Sequence, residues 1–296
     1  MTLAVGAKLP NSGPLPLRFG IPRLAATLEA AGFESLWVSD HIVLPARIES
    51  RYPFSADGRA SWSPETPWLD ALVALALAAA VTGSATLGTA VLVLPLRHPV
   101  EFAKQAASID VASGGRLRLG VGAGWLEQEF AALDVPFAGR GARLEEWLAI
   151  ARACWSGTPP PWDSERYRLP EGVLCLPTPA AAIPVLVGGH SPAALRRAGR
   201  VADGWLAQQS ADELAPAELE RAAGVVRDAA AAAGRDPAAV RIVLRVVEST
   251  GRAAELARRL PALEAAGVDE IIVDAALEHG DPASDYAVLR DGAGGG

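Results

Sequence analysis

Few cysteines, few lysines and no long apolar run occur in this sequence, and each shortage excludes a class of protein. The two cysteines, Cys154 and Cys175, are too few for a disulfide framework and lack metal-ligand spacing, which favours a reducing compartment. Lysine occurs only as Lys8 and Lys104, and the 27 basic residues are outnumbered by 34 acidic ones. The net charge of −7 argues against a nucleic-acid partner, but anionic small ligands stay compatible because backbone dipoles bind them locally.

Targeting and membrane signals are also lacking. No basic segment precedes an apolar run at the N-terminus, so the sequence predicts no secretory signal. The most apolar stretch, from Trp68 to Val81, contains Asp70 and is too short to span a bilayer comfortably. We therefore expect a cytoplasmic protein with no membrane partner. Half of the 296 residues are apolar and 21% are charged, which permits a large core in a single domain over residues 1–296.

Short β-like runs alternate with longer helical ones, which is the pattern of a parallel α/β fold. Eight strand candidates, nearly all separated by helices, favour a closed (β/α)₈ TIM barrel over an open sheet. We expect insertion loops after strands two and four, at about 42–66 and 157–182, and a flexible tail at about 292–296. The predicted strands are Leu3–Leu9, Ser35–Val38, Thr86–Leu94, Arg116–Val121, Pro184–Val187, Gly204–Ala207, Arg241–Val247 and Glu270–Val273.

Polar residues and glycines follow four of these strands. In such barrels the loops after the carboxyl ends of the strands build the active site. Three of the four histidines fall in these loops, which predicts that the loops form the functional face. The segments are Ser39-Asp40-His41, Arg97-His98, Gly122-Ala123-Gly124 and Gly188-Gly189-His190-Ser191.

The segment from Pro184 to Pro192 is the strongest local signal. An apolar strand turns through Gly188 and Gly189 into Ser191, a good N-cap, with proline at the first helical position. Free N–H groups at a helix start attract phosphate, and glycine lets a ligand approach the backbone closely. The alternative is an ordinary capped turn without a ligand.

The segment from Gly120 to Trp125 superficially matches a dinucleotide fingerprint, but Trp125 stands at the position of the third glycine and the segment does not open a first βαβ unit. We interpret these glycines as a strand end without side chains, against which a flat ring can lie. The alternative is that they serve barrel packing alone.

Asp40 and His41 have the chemistry of an acid–base pair, because a histidine can donate or accept a proton near neutral pH. Alternatively, the aspartate bonds to the backbone or to a neighbouring loop.

His98 precedes Pro99, and we favour a capping role for it. The histidines lack ligand-type partners at metal-site spacing, so the sequence predicts no metal centre.

Taken in order, several segments resemble the luciferase-like monooxygenase superfamily, particularly its actinobacterial branch that uses the deazaflavin coenzyme F420. The resemblance covers residues 3–207, and beyond Gln208 only the architecture matches. The matching segments are Trp37–His41, Leu87–Pro99, Ala103–Asp110, Ser113–Trp125 with Glu129-Phe130, Gly141–Glu145 and Val187–Pro192.

The resemblance implies that a flat ring lies near the barrel axis, over a bulge in strand three that often contains a non-proline cis peptide. That support would be Thr89, Ala90 and Val91, and the ring would also contact Gly122, Ala123 and Gly124. The cofactor phosphate would bind Gly188, Gly189, His190 and Ser191, while Asp40 and His41 would be the catalytic pair. Trp125 stands where sugar-phosphate-oxidising relatives carry a catalytic glutamate, so we expect an apolar, extended or peptide-like organic substrate, bound by Trp125 and Tyr52.

The expected function is F420-dependent hydride transfer to or from an organic molecule, with reduction of a C=C, C=N or C=O bond. Two alternatives stay open. One is an FMN-dependent two-component monooxygenase, and the other is a flavin- or ligand-binding barrel without catalysis. Because relatives are commonly dimers, the resemblance also implies a homodimer.

Overall fold

A closed barrel of eight parallel strands forms the centre of the molecule, in the order β1-β8-β7-β6-β5-β4-β3-β2. The computed structural model describes residues 3–55 and 57–294. The barrel confirms the predicted fold class, and three predicted strands have the observed bounds. The strands are β1 (Ala4–Lys8), β2 (Ser35–Val38), β3 (Thr86–Val93), β4 (Leu117–Gly122), β5 (Val185–Gly188), β6 (Gly204–Ser210), β7 (Arg241–Val247) and β8 (Glu270–Val273).

Helices separate the strands and pack around the barrel. Two boundaries differ from prediction for local reasons. Proline favours the first turn of a helix, so the sequence predicts that the third helix begins near Pro67. It begins at Ala71 instead, because the carboxylate of Asp70 accepts the first free N–H groups, those of Leu72 and Val73. The helices are α1 (Pro14–Phe19), α2 (Ile21–Ala30), α3 (Ala71–Ala79), α4 (Pro99–Ser113), α5 (Glu127–Ala132), α6 (Arg140–Trp155), α7 (Pro192–Val201), α8 (Pro216–Ala232), α9 (Ala253–Ala257), α10 (Leu260–Ala265) and α11 (Pro282–Gly294).

The second difference lies between β7 and β8, where the sequence predicts one helix over Ala253–Ala266. The structure has α9 and α10 instead, and Pro261 lies in the first turn of α10. Proline has no N–H to donate to the preceding turn, so a helix restarts there rather than continues.

The chain ends in α11, so Gly292 to Gly294, expected to be loose, are helical; residues 295 and 296 lie outside the described residues. A Cβ on Gly292 would lie 2.7 Å from the Cβ of Ala257, so glycine allows α11 to approach α9 closely. The expected loop at 157–182 contains a short antiparallel pair, Trp162–Asp163 with Arg168–Leu169. In the described part of 42–66 there is no helix or strand.

The interior of the barrel is filled below the site by one tryptophan and a buried polar network. Trp37 is fully buried and donates from Nε1 to Ser35 Oγ at 2.7 Å. Ser35 Oγ in turn donates to Glu270, whose other oxygen accepts from Arg118. A Cβ on Gly88 would lie 2.4 Å from the Trp37 ring, so glycine at 88 makes room for this plug. The plug fills this part of the barrel interior.

Within the described residues, no helix has both the length and the apolar character needed to cross a bilayer.

Candidate active site

A cavity of about 1010 Å³ opens at the carboxyl ends of the strands. This is the face at which sequence analysis placed the chemistry. Of the residues predicted to be catalytic, to bind the cofactor or to bind the substrate, all but Thr89 line it. They are Asp40, His41, Tyr52, Ala90, Val91, Gly122, Ala123, Gly124, Trp125, Gly188, Gly189, His190 and Ser191.

Thr89 does not line the cavity, and the expectation that it contacts a cofactor is corrected. It is fully buried, and its hydroxyl donates to the carbonyl of Gly120 at 2.8 Å. The side chain faces β4 because consecutive strand residues point in opposite directions. Thr89 therefore supports the strand-three bulge from behind.

The bulge expected in β3 is present. The pairing of β3 with β4 shifts register between Thr89 and Leu92, and the Ala90–Val91 peptide bond is cis. The two methyl groups of Val91 lie over the ends of two neighbouring strands. A Cβ on Gly122 would lie 2.7 Å from Val91 Cγ2, and one on Gly188 would lie 2.7 Å from Cγ1. The glycines thus accommodate Val91, which itself forms the cavity wall.

The turn after β5 has the geometry of an anion site. Ser191 caps α7, and its hydroxyl accepts the N–H of Ala194 at 3.2 Å. Gly189 has a φ of +117°, which an L side chain rarely adopts, so glycine is required for this turn. Because Pro192 has no N–H and that of Ala194 is bonded to Ser191, Ala193 carries the free amide of this first turn; it lines the cavity at the partially positive start of the helix.

The side chain of His190 joins this turn to the neighbouring strand. Its ring turns toward β6, where Nε2 accepts the backbone N–H of Gln208 at 3.0 Å. The ring also packs edge-on against Phe54 and Trp205. Because Nε2 accepts a hydrogen bond, the donors of His190 left for an anion are its backbone N–H and Nδ1.

Sequence reasoning missed two arginines at the same end of the cavity, Arg140 and Arg197. Arg140 donates to the carbonyl of Gly124 at 2.9 Å and lies over the ring of Phe137. Arg197 pairs with Glu145 at 3.0 Å. The sequence held a signal for both arginines. Arg140 immediately precedes Gly141–Glu145, one of the segments that carry the family resemblance, and Glu145 at the end of that segment pairs with Arg197.

Asp40 is fully committed to protein contacts. One carboxylate oxygen accepts the N–H of Val93 at 3.0 Å, and the other pairs with Arg97 at 2.7 Å. Arg97 also contacts Asp70, the cap of α3. Burial raises the pKa of Asp40, and the charge of Arg97 opposes this effect. The structure thus supports the alternative interpretation, in which Asp40 joins the loop after β2 to the end of β3.

His41 lies beside a second residue that sequence reasoning did not assign, Glu129. Nδ1 of His41 is 3.0 Å from Glu129 Oε2, and both side chains are buried. The other oxygen of Glu129 accepts the N–H groups of Ile42 at 2.7 Å and Val43 at 3.3 Å. Glu129 lies four residues after Trp125, on α5, so a glutamate still reaches the site. With Nδ1 occupied, Nε2 is the nitrogen left for proton transfer.

Four aromatic side chains form one wall of the cavity: Tyr52, Trp62, Trp68 and Trp125. Ring centroids of Trp62, Trp68 and Trp125 lie 5.8, 4.9 and 6.1 Å from that of His41. Tyr52 contacts Trp62 and Trp125 at 5.1 Å and accepts from Gln208 Nε2 at 3.1 Å. Burial raises the pKa of Tyr52. This aromatic wall suits an apolar ligand portion and limits water around His41.

Another part of the cavity lining is polar and includes Lys8, Arg245 and Asp274. Arg245 pairs with Asp274 and donates to the carbonyl of Ile272 at 3.2 Å. Lys8 donates to Asn11 Oδ1 at 2.8 Å. Within residues 3–55 and 57–294, no group of three or more His, Cys, Asp or Glu side chains is arranged to hold a metal ion.

Comparison with known protein families gives a match over most of the chain. The model of the luciferase-like monooxygenase family matches residues 19–287. An uncharacterized protein of Mycobacterium tuberculosis is 36% identical over 255 residues, which are 86% of this chain and 84% of that protein. The F420-dependent hydroxymycolic acid dehydrogenase of the same species is 34% identical over 251 residues, covering 83% of this chain and 64% of the dehydrogenase.

Solved structures with the same fold are more distant in sequence. An F420-dependent secondary alcohol dehydrogenase in complex with an F420–acetone adduct has a TM-score of 0.76 at 16% identity, covering 99% of this chain and 98% of that one. The F420-dependent tetrahydromethanopterin reductase of Methanopyrus kandleri has a TM-score of 0.73 at 18% identity, with the same coverage. Together with the barrel, the strand-three bulge and the sequence matches, these findings show that the chain belongs to the luciferase-like monooxygenase family.

Proposed function

We propose that this protein is an F420-dependent oxidoreductase that transfers a hydride between the deazaflavin and an organic substrate, reducing a C=C, C=N or C=O bond. One observation carries the proposal. A single cavity combines an anion site at the start of α7, a strand-three bulge and a buried histidine beside an aromatic wall. The relatives named as F420-dependent, at 31% and 34% identity, support the choice of cofactor.

The residues present fit a flat ring with an acidic tail. Val91 fills the space above Gly122 and Gly188, and this leaves a wall of small groups facing the cavity. The amides of Gly189 to Ser191 would hold the phosphate. Arg140 and Arg197 would bind the acidic groups beyond it, because guanidinium groups pair strongly with phosphate and carboxylate oxygens.

When bound, the deazaflavin supplies the ring carbon that gives or takes the hydride. The protein's own contribution is orientation and proton transfer. Glu129 holds Nδ1 of His41, so that Nε2 can give a proton to the substrate heteroatom or carbon. The aromatic wall would hold an apolar substrate against the ring and exclude water from the reacting atoms.

The test is a fluorescence titration of the purified protein with F420 and, separately, with FMN. We expect F420 to bind at least about tenfold more tightly than FMN. Arg197→Ala should weaken F420 binding by about tenfold, the size of one charge-assisted contact. Arg196→Ala is the matched control, because Arg196 is the exposed neighbour on the same helix. Tight FMN binding with no response to F420 would favour the monooxygenase alternative, and bound F420 without turnover on any acceptor would favour a non-catalytic barrel.

A further inference from the structure

Lys8 is the one lysine in the cavity of a chain that uses arginine for nearly all its positive charges. It is the last residue of β1, and its side chain is partly buried. The other lysine, Lys104, lies on the outside of the barrel on α4 and donates to the carbonyl of Leu176. A lysine differs from an arginine in that its charge can be lost when it is buried, whereas a guanidinium stays charged.

Asn11 fixes the amine of Lys8 in place. Asn11 is fully buried, and its Nδ2 donates to the carbonyls of Ser39 at 2.7 Å and Leu69 at 2.9 Å. Its Oδ1 accepts both the N–H of Ser39 at 3.0 Å and Nζ of Lys8 at 2.8 Å. Because every polar atom of the amide is used, Asn11 cannot rotate away. One donor position of the amine is thereby satisfied, and the others are left for a ligand.

Lys8 has no ion-pair partner among the described residues. The nearby carboxylate, Asp274, is paired with Arg245, whose own charge repels the lysine. Burial and Arg245 lower the pKa of Lys8 to about 7, while Asp274 partly opposes them. Glu248 and His41 are further ionisable groups on the cavity wall. The Lys8 amine is thus a cationic group without a counterion among the described residues.

We propose that Lys8 binds a carboxylate of the substrate, so that the substrate is an aromatic or extended apolar molecule with one acidic group. This inference rests on the proposed function, because it takes the cavity to be the substrate site. The aromatic wall of Tyr52, Trp62, Trp68 and Trp125 would hold the apolar part. The polar wall at β1 would hold the acid.

A carboxylate would supply the missing counterion and restore the charged form of Lys8. Binding would then take up a proton whenever the free lysine is neutral. By linkage, the affinity for a carboxylate falls by about tenfold per pH unit above the pKa of the free amine. A neutral ligand of the same shape would show no such dependence.

The experiment compares 1-naphthoate with 1-naphthalenemethanol, titrated into the F420-loaded full-length protein and followed by quenching of tryptophan fluorescence. We expect naphthoate to bind at least about tenfold more tightly at pH 6.5, with the advantage decreasing above pH 7. Lys8→Met should remove the preference, and Lys8→Arg should keep it without the pH dependence. Lys104→Met is the matched control and should behave as the wild type. Equal affinities for the two probes, or a preference unchanged in Lys8→Met, would overturn the proposal.

A second readout does not depend on any variant folding correctly. Acetylation by the N-hydroxysuccinimide ester of acetic acid at pH 7.5, followed by mass spectrometry, reports on the two lysines separately. An amine with a pKa near 7 is largely neutral at this pH and should react faster than Lys104. Naphthoate should protect Lys8 and leave Lys104 unchanged; equal labelling with and without naphthoate would contradict a carboxylate site. If the protein binds naphthoate but does not bind F420, the proposed function is refuted. If it binds F420 but does not bind naphthoate, only the carboxylate site is refuted.

Discussion

Glu129 holds His41 through a 3.0 Å contact between Oε2 and Nδ1, with both side chains almost fully buried. The same carboxylate accepts two backbone N–H groups from the loop that follows β2. One residue on α5 therefore fixes both the ring orientation and the backbone of the loop that carries it. The consequence is that the imidazole presents one defined nitrogen to the cavity.

Replacing Glu129 by alanine should destabilise the fold. The change leaves a buried imidazole and two loop N–H groups without their acceptor, and breaking a buried pair costs about 3 kcal/mol. Urea unfolding of Glu129→Ala against the wild type measures the loss. Glu127→Ala, an exposed change on the same helix, should cost less than about 0.5 kcal/mol. Similar losses for both variants would mean that the contact with His41 carries no structural weight.

His41→Ala should reduce turnover far more than cofactor affinity. A positioned acid or base contributes about 10²- to 10⁴-fold to rate, so reoxidation of reduced F420 by an acceptor should slow by that range. His98→Ala is the control. His98 caps α4 by accepting the N–H of Glu101 at 3.4 Å, as sequence analysis favoured, and lies outside the cavity wall. A large loss of F420 binding in His41→Ala would instead assign His41 to the cofactor pocket.

Much of the fold and of the cavity could be predicted because both follow from strand periodicity. Three strands consist mainly of buried apolar residues, and each has the predicted bounds: Ser35–Val38, Arg241–Val247 and Glu270–Val273. Once the strands are known, a closed parallel barrel brings their carboxyl ends together, so residues as distant as His41 and Ser191 could be assigned to one face.

Side-chain partners could not be predicted in the same way. Glu129 lies on a helix of six residues, too short to give a periodic signal, and its contact with His41 spans 88 positions. Lys8 ends a strand, and nothing in the local sequence tells whether its amine meets a carboxylate. The roles of Asp40 and Thr89 depend on which way each side chain turns, which is set by packing rather than by spacing.

Gly188→Ala should distort the strand-three bulge, because the added Cβ would lie 2.7 Å from Val91 Cγ1. We expect a loss of stability of about 1–3 kcal/mol, typical of overpacking, and weaker F420 binding. Val91→Ala added to Gly188→Ala should recover part of the lost stability and part of the lost F420 affinity, because it removes Val91 Cγ1, the methyl group that the new Cβ would meet. Gly224→Ala on α8, where no atom lies within 4 Å, should instead stabilise by about 0.5–1 kcal/mol. Additive losses in the double variant would show that Val91 and Gly188 do not interact.

Lys8→Met should stabilise the protein, and the gain should depend on pH. The pKa of Lys8 is about 7 in the folded state, below the value of about 10.4 in an unfolded chain. Between these values the unfolded chain binds more protons, so the wild-type free energy of unfolding rises with pH through this window. The destabilisation of the folded state by the Lys8 charge is therefore largest below pH 7 and decreases toward pH 10. Urea unfolding at pH 6, 7.5 and 9 should show the largest gain for Lys8→Met at pH 6 and the smallest at pH 9. Lys104→Met should show no such trend, and a gain for Lys8→Met that is constant with pH would mean that Lys8 stays charged in the folded protein.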